Sequence, residues 1–134
     1  MKPAKHSTII ITLALTLVLW GCFLIVPEIN AQLSDLTLCR GWDAAGNAIA
    51  LPDPVPSDET RICICGHLET NADILLEVSW DRERNTLLRQ REVFGNGAFL
   101  SCIEQDDGFE PGGYGVSVMM TKEVLGLLEF TVSE

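Results

Sequence analysis

From residue 35 onward, short stretches of alternating apolar and polar residues are broken about every ten residues by glycine, proline or Asp/Asn clusters. An alternation of period two puts successive side chains on opposite sides of a strand, so each stretch has one face that must be covered by another layer. Repeated at this spacing, the pattern predicts an all-β domain of two packed sheets. Seven strands are expected: A over 35–40, B over 60–70, C over 73–81, C′ or D over 86–94, E over 98–104, F over 113–121 and G over 124–133. Breakers fall between them: Pro52, Pro54 and Pro56 after A, Gly95-Asn96-Gly97 before E, and Asp107-Gly108 with Pro111-Gly112-Gly113 before F. No helix longer than a turn is expected in this part of the chain.

The same alternation assigns the faces. Ile74, Leu76, Val78 and Trp80 fall together in C, Tyr114, Val116, Val118 and Met120 in F, and Leu128, Phe130 and Val132 in G. Leu36 and Leu38 in A, Ile62, Ile64 and Leu68 in B, and Phe99 and Ile103 in E are expected to meet them from the opposite sheet.

Ahead of this domain, residues 9–26 (IIITLALTLVLWGCFLIV) carry no charge. As a helix rising about 1.5 Å per residue they would span about 27 Å, close to the hydrocarbon thickness of a bilayer. Lys2, Lys5 and His6 precede the segment and Glu28 and Asp35 follow it, so the charge bias places the N-terminus in the cytoplasm and the domain outside. The expected layout is a signal anchor over residues 1–31, a single transmembrane helix at about 9–26, and an extracytoplasmic domain over 32–134. An uncleaved anchor is expected first, because the apolar run exceeds a signal-peptide core. Leu19-Trp20-Gly21-Cys22 also resembles the lipobox of bacterial lipoproteins, which would lipidate Cys22. Cleavage after Ala31 is the third processing fate.

Between Gln32 and Glu134, 18 acidic residues oppose seven basic ones. Such a surface repels polyanions, which argues against nucleic-acid binding and against docking of the domain on anionic lipid.

Residues 109–118 (FEPGGYGVSV), followed by 128–132 (LEFTV), resemble the F and G strands of fibronectin type III and related bacterial immunoglobulin-like domains. Ile64-Cys65-Gly66 and Val78-Ser79-Trp80 fit strands B and C of that layout. The resemblance implies a seven-stranded immunoglobulin-like sandwich used for binding, adhesion or spacing, without catalysis. The chain departs from that family in its cysteines and in the long connection over 43–59.

Cys39, Cys63, Cys65 and Cys102 make an even set in an exported domain, which favours disulfides. Alternation turns all four outward, since aliphatic side chains hold the inward positions of A, B and E. In immunoglobulin-like topologies A and E both flank B, which implies two cross-strand disulfides on the outer face of that sheet. Whether Cys63 or Cys65 joins Cys39 stays open. The sharper alternative is a metal or redox site, in which the four thiols and His67, in phase with Cys63 and Cys65, hold zinc, copper or an iron–sulfur cluster. Cys-x-Cys on a strand is a weak signal for such a site.

His67 is the only histidine of the exported part, and no nucleophile motif surrounds it. Glu104, Asp106, Asp107 and Glu110 lack the spacing of a calcium loop and are expected to form a solvated turn. Met119 and Met120 are expected to be one surface and one core methionine. Arg82, Arg84, Arg89 and Arg91 form the one locally basic run, a candidate protein-contact site; Trp42, with Phe94, is a candidate aromatic contact. The connection over 43–59, with its alternating prolines, is expected to be extended and ordered, and is a candidate interaction loop. No catalytic residue, cofactor or metal is expected. The function expected is that of a non-catalytic, membrane-anchored interaction protein, a small accessory subunit of a membrane complex that meets lipid through 9–26. A cell-surface or periplasmic binding module for carbohydrate or protein is the alternative from a second class, and a small-molecule ligand is not expected.

Overall fold

The structure, a computed structural model, describes residues 28–134. The helix expected over 9–26, its orientation and Cys22 lie outside the described residues. Eight strands follow in order: β1 (Ala31–Trp42), β2 (Ala48–Ala50), β3 (Arg61–Thr70), β4 (Ile74–Arg82), β5 (Asn85–Phe94), β6 (Gly97–Glu104), β7 (Gly112–Met120) and β8 (Glu123–Val132). They form two antiparallel four-stranded sheets, β2-β1-β3-β6 and β5-β4-β7-β8, with no helix among the described residues.

The seven expected strands are present, and two features differ. The first strand begins at Ala31 rather than at Asp35, and the short β2 lies inside the connection read as irregular. A bulge hides the early part of β1 from an alternation argument. Asp35 takes a left-handed φ of 56°, and pairing with β3 shifts between Ser34 and Thr37. Two glycines make room for this irregularity. A Cβ at Gly66 would lie 2.9 Å from the Ser34 carbonyl oxygen, and one at Gly126 would lie 3.0 and 3.1 Å from methyls of Leu36 and Leu33. Leu33 and Leu36 thereby both lean onto β8 and close one side of the sandwich.

Leu38, Ile62, Ile64, Leu68, Phe99 and Ile103 of the first sheet pack against Leu76, Val78, Trp80, Val116, Val118 and Phe130 of the second. Burial of these aliphatic and aromatic surfaces is the main force holding the layers together. Trp80 meets Phe130 edge-on at 6.4 Å, and Tyr114 stacks on Phe130 at 5.3 Å. Leu51, Val55 and Phe109 join the core from loops, where no periodicity announces them.

The connection after β2 is ordered along the edge of β8. The Val55 N–H donates to the Thr131 carbonyl at 2.8 Å, and the Ser133 N–H donates to the Val55 carbonyl at 2.9 Å. Asp53 accepts from both the N–H and the hydroxyl of Thr131, each at 3.1 Å. This parallel bridge occupies hydrogen-bonding groups that would otherwise offer another chain a template.

Strand direction gives the sandwich two poles. Glu28 and Asn30 lie beside Asn71, Asn96 and Glu123 at one pole, called here the entry pole. The turn after β1, the loop before β7 and the C-terminus lie at the other.

Candidate functional site: the two outer sheet faces

In a two-layer sandwich the inner faces are spent on the core, so recognition falls to loops, edges and the two outer faces. On the outer face of β2-β1-β3-β6 the structure joins Cys39 to Cys65 and Cys63 to Cys102. Register explains why one bridge is direct and the other diagonal. Cys63 lies opposite both Cys39 on β1 and Cys102 on β6, whereas Cys65 lies opposite Thr37 and Leu100. Once Cys63 takes Cys102, with 4.0 Å between their Cα atoms, Cys39 reaches diagonally to Cys65 over 6.1 Å.

These sulfurs face away from the core, yet Cys39, Cys63 and Cys65 are fully buried. Trp42 and Leu100 cover them. Trp42 is three residues from Cys39 and would point the other way on a regular strand. A shift in the β1–β2 register between the two, with Gly41 at a φ of 136°, brings the indole onto the cysteine side. His67 stays exposed at the margin, its ring 6.1 Å from that of Trp42. With the sulfurs joined in pairs, the four cysteines present no thiolate to a metal. Among the described residues no group of three or more His, Cys, Asp or Glu side chains is arranged to hold one.

The arginine run is divided rather than gathered. Arg82 binds Glu110 at 2.8 Å and the Pro111 carbonyl at 2.9 Å near the far pole, and Arg84 sits in the β4–β5 turn. Arg89 and Arg91 lie on the outer face of the second sheet, where both reach Glu77, at 3.0 and 3.2 Å. The acidic stretch is divided too. Glu104 pairs with Arg61 across the β3–β6 ladder, Glu110 with Arg82, and Asp106 and Asp107 stand in the exposed turn between them. Met119 faces outward and Met120 packs against the core. Phe94 packs on Phe99 at 4.8 Å, so neither it nor Trp42 forms an open aromatic platform. Burial raises the Tyr114 hydroxyl above its ordinary value of 10.0; nearby Arg82 opposes the shift, and Glu110 and Glu83 add to it. That hydroxyl donates to the Glu110 carbonyl at 2.5 Å, tying the loop before β7 to the strand.

The feature missed in the sequence is the outer face of β5-β4-β7-β8. Seven large hydrophobics are markedly exposed among the described residues, and Leu75, Leu87, Val93, Val124 and Leu127 share this one face. Leu75 and Val93 are direct cross-strand partners, Met119 lies opposite Val124, and Ser117 opposite Leu127. Glu77 with Arg89 and Arg91 forms a charged centre on this face, and Asp81 and Glu129 stand level with each other nearer the far pole. Alternation could have found most of it, because Leu75, Leu87, Val93 and Leu127 occupy the phase opposite to Leu76, Leu88 and Leu128; Val124 is in phase with Leu128 and turns outward only through the register shift beside Met119.

Two sheets of this order, with the third strand placed between the first and the sixth, match solved structures of known fold. One is an immunoglobulin-like protein of Pseudomonas aeruginosa, with a TM-score of 0.58 at 12% identity over 78% of this chain and 97% of that one. The fold is immunoglobulin-like. A second match is the alkylpurine DNA glycosylase AlkC of Pseudomonas fluorescens, bound to DNA containing an abasic site analog, with a TM-score of 0.52 at 18% identity. It covers 78% of this chain but only 30% of that enzyme, so the immunoglobulin-like domain corresponds to less than a third of it. At these identities the likeness concerns the fold and carries no activity across. No known protein family matches the chain, and no curated protein does.

Proposed function

We propose that this chain is a non-catalytic, membrane-anchored protein whose immunoglobulin-like domain works outside the cytoplasm through protein–protein contact, as a small accessory subunit of a membrane complex. The observation that carries the location is the buried pair of disulfides, since such bonds persist in oxidising compartments and are rare in the cytosol. The uncharged run over 9–26, with lysines before it and acids after it, supplies the anchor in this reading. The exposed apolar face of β5-β4-β7-β8 supplies the contact surface, because contiguous apolar area on a soluble face marks an interaction site. Within the immunoglobulin-like class, the pattern of β7 and β8 favours the fibronectin type III kind of spacer or adhesive module.

A carbohydrate-binding role is disfavoured because Trp42 and Phe94, its two candidate aromatics, are packed against the cystines and Phe99. The test is purification of the full chain from its own membranes in mild detergent, with the intact mass measured. Co-purification of other membrane proteins is expected, with a mass lower by four hydrogens than that of the reduced chain. Recovery in the soluble fraction, or as a chain with no associated protein, would overturn the reading.

A further inference from the structure

Four cysteines can pair in three ways, and the sheet rules out one of them. In the order β2-β1-β3-β6, Cys39 and Cys102 stand on either side of the strand that carries Cys63 and Cys65. They are two strand spacings apart, about 10 Å, beyond the Cα separation of about 7 Å that a disulfide tolerates. Every bridge must therefore join β3 to one of its neighbours, and two layouts remain. One is the layout present, Cys39–Cys65 with Cys63–Cys102. The other is Cys39–Cys63 with Cys65–Cys102.

Register makes the two layouts alike. Cys63 lies directly opposite Cys39 on one side and Cys102 on the other, while Cys65, opposite Thr37 and Leu100, is one diagonal step from both. Each layout thus holds one direct and one diagonal bridge on the same outer face. They differ in the seam that carries the diagonal: β1–β3, beside Trp42 and the irregularity at Gly41, or β3–β6, at the edge of the sheet.

Burial decides where an exchange can begin. Cys39, Cys63 and Cys65 are fully buried, and Cys102, on the edge strand β6, is the partly exposed member of the four. We propose that these cysteines form an exchange relay: a low-molecular-weight thiol that enters at Cys102 converts the pairing to Cys39–Cys63 and Cys65–Cys102 and is then released.

The incoming thiolate attacks Cys102 Sγ, forming a mixed disulfide, and the Cys63 sulfur leaves with the electron pair as a thiolate. Cys63 Sγ then attacks Cys39 Sγ across the β1–β3 ladder and expels the Cys65 thiolate. Cys65 Sγ attacks Cys102 Sγ diagonally across β3–β6 and returns the external thiolate. Each step makes one S–S bond and breaks one, so no oxidant or reductant is consumed. The roof of Trp42 and Leu100 keeps a second external thiol from the inner sulfurs, so each freed thiolate meets a neighbouring disulfide first. Proximity favours that internal step, and a thiolate in such dry surroundings is a poor resting state.

The test uses the full chain in mild detergent with Cys22→Ser, so that no fifth thiol takes part. The protein is incubated with a trace of reduced glutathione and quenched in acid. Its bridges are then mapped by partial reduction, cyanylation of the freed thiols and chain cleavage at them. The second layout should appear beside the first, and the glutathione adduct caught on quenching should sit on Cys102. Adding Cys102→Ser removes the need for an external thiol, because Cys63 is then free beside Cys39–Cys65. Alkylation of that variant with iodoacetamide should find the thiol at Cys65, in part or in full. Circular dichroism should show the folded domain throughout.

Bridges that stay Cys39–Cys65 and Cys63–Cys102 at every glutathione concentration that leaves the domain folded overturn the proposal, whether or not the Cys102→Ser chain folds. So does a folded Cys102→Ser chain alkylated at Cys63 alone, an adduct on Cys39, Cys63 or Cys65 in place of Cys102, or exchange that starts only in urea strong enough to unfold the domain.

Discussion

The two outer faces of this sandwich are built on the same strand geometry and treated in opposite ways. On β2-β1-β3-β6 the outward positions hold four cysteines, tied in pairs and roofed by Trp42 and Leu100, so that Cys39, Cys63 and Cys65 are as dry as the core. On β5-β4-β7-β8 the outward positions include leucine, valine and methionine with nothing over them, beside a charged centre of Glu77, Arg89 and Arg91 and the acids Asp81 and Glu129. A small domain needs extra stabilisation from somewhere, and here one face provides it covalently. That leaves the other face free to keep exposed apolar area whose burial by a partner would be favourable.

The largest way to break this contrast is to remove the cystines. The bridges separate residues 26 and 39 positions apart, and on the chain-entropy account each contributes about 3.5–4 kcal/mol. Domains of this size have total stabilities of about 5–15 kcal/mol. Urea unfolding of the Cys63→Ala/Cys102→Ala protein should therefore show a loss of about 4 kcal/mol, and full reduction should leave the domain unfolded or nearly so. Equal stability in the presence and absence of reductant would mean that the first face is no more a staple than the second.

Much of this arrangement is legible in the sequence, and the illegible parts have definite causes. Strands β3 to β8 announce themselves within a residue at either end, because alternating Ile, Leu, Val and Phe between Gly, Pro and Asp breakers leaves little choice. The first half of β1 does not: Asp35 at positive φ and the bulge after Ser34 break the period. The strand β2 is Ala48-Ile49-Ala50, wholly exposed and set between a glycine turn and a proline run. The outward phase of the cysteines is readable, but their burial is not, because the irregularity at Gly41 that swings Trp42 over them leaves no trace in hydrophobic periodicity. Leu51, Val55 and Phe109 reach the core through loop paths fixed only by tertiary contacts such as Val55 on Thr131. The arginine run looks continuous along the chain. It is divided in space because a hairpin sends Arg82 and Arg84 to its turn and Arg89 and Arg91 to the middle of the sheet.

A smaller effect sharpens the role of the indole. Replacing Trp42 with Ala removes a half-buried aromatic, which costs about 1–2 kcal/mol at the usual value of apolar burial. The clearer readout is kinetic. Thiol–disulfide exchange requires access to sulfur, so Trp42→Ala should accelerate reduction of the cystines by dithiothreitol under native conditions. A rate unchanged from wild type would show that Leu100 and the strands alone seal the face.

Beneath the second sheet, one buried hydroxyl adds a pH dependence to stability. Tyr114 is the only tyrosine, and burial raises its hydroxyl above 10.0. A raised folded value means that the protonated form is favoured by folding. Its contribution is complete below pH 10 and is lost as pH rises through the higher folded value. The melting temperature should fall above pH 10, and ultraviolet absorbance should report a single tyrosine ionising late. Tyr114→Phe should remove this share of the alkaline loss and cost about 1 kcal/mol at neutral pH, the hydrogen bond to the Glu110 carbonyl being gone.

The smallest expected effect tests the exposed face itself. Leu75 and Val93 are direct partners on β4 and β5, and their side chains lie largely in solvent, at 56% and 63% exposure. Threonine has high strand propensity, so Leu75→Thr with Val93→Thr keeps the backbone preference while removing apolar surface. Because little of that surface is buried within the domain, the change in unfolding free energy should stay within about 0.5 kcal/mol. A loss above 1 kcal/mol would mean that these side chains already pack on their own sheet as the cystines do, and the difference between the two faces would disappear. A neutral result leaves Leu75 and Val93 without a stabilising role inside the domain. That is the result the proposed contact surface requires.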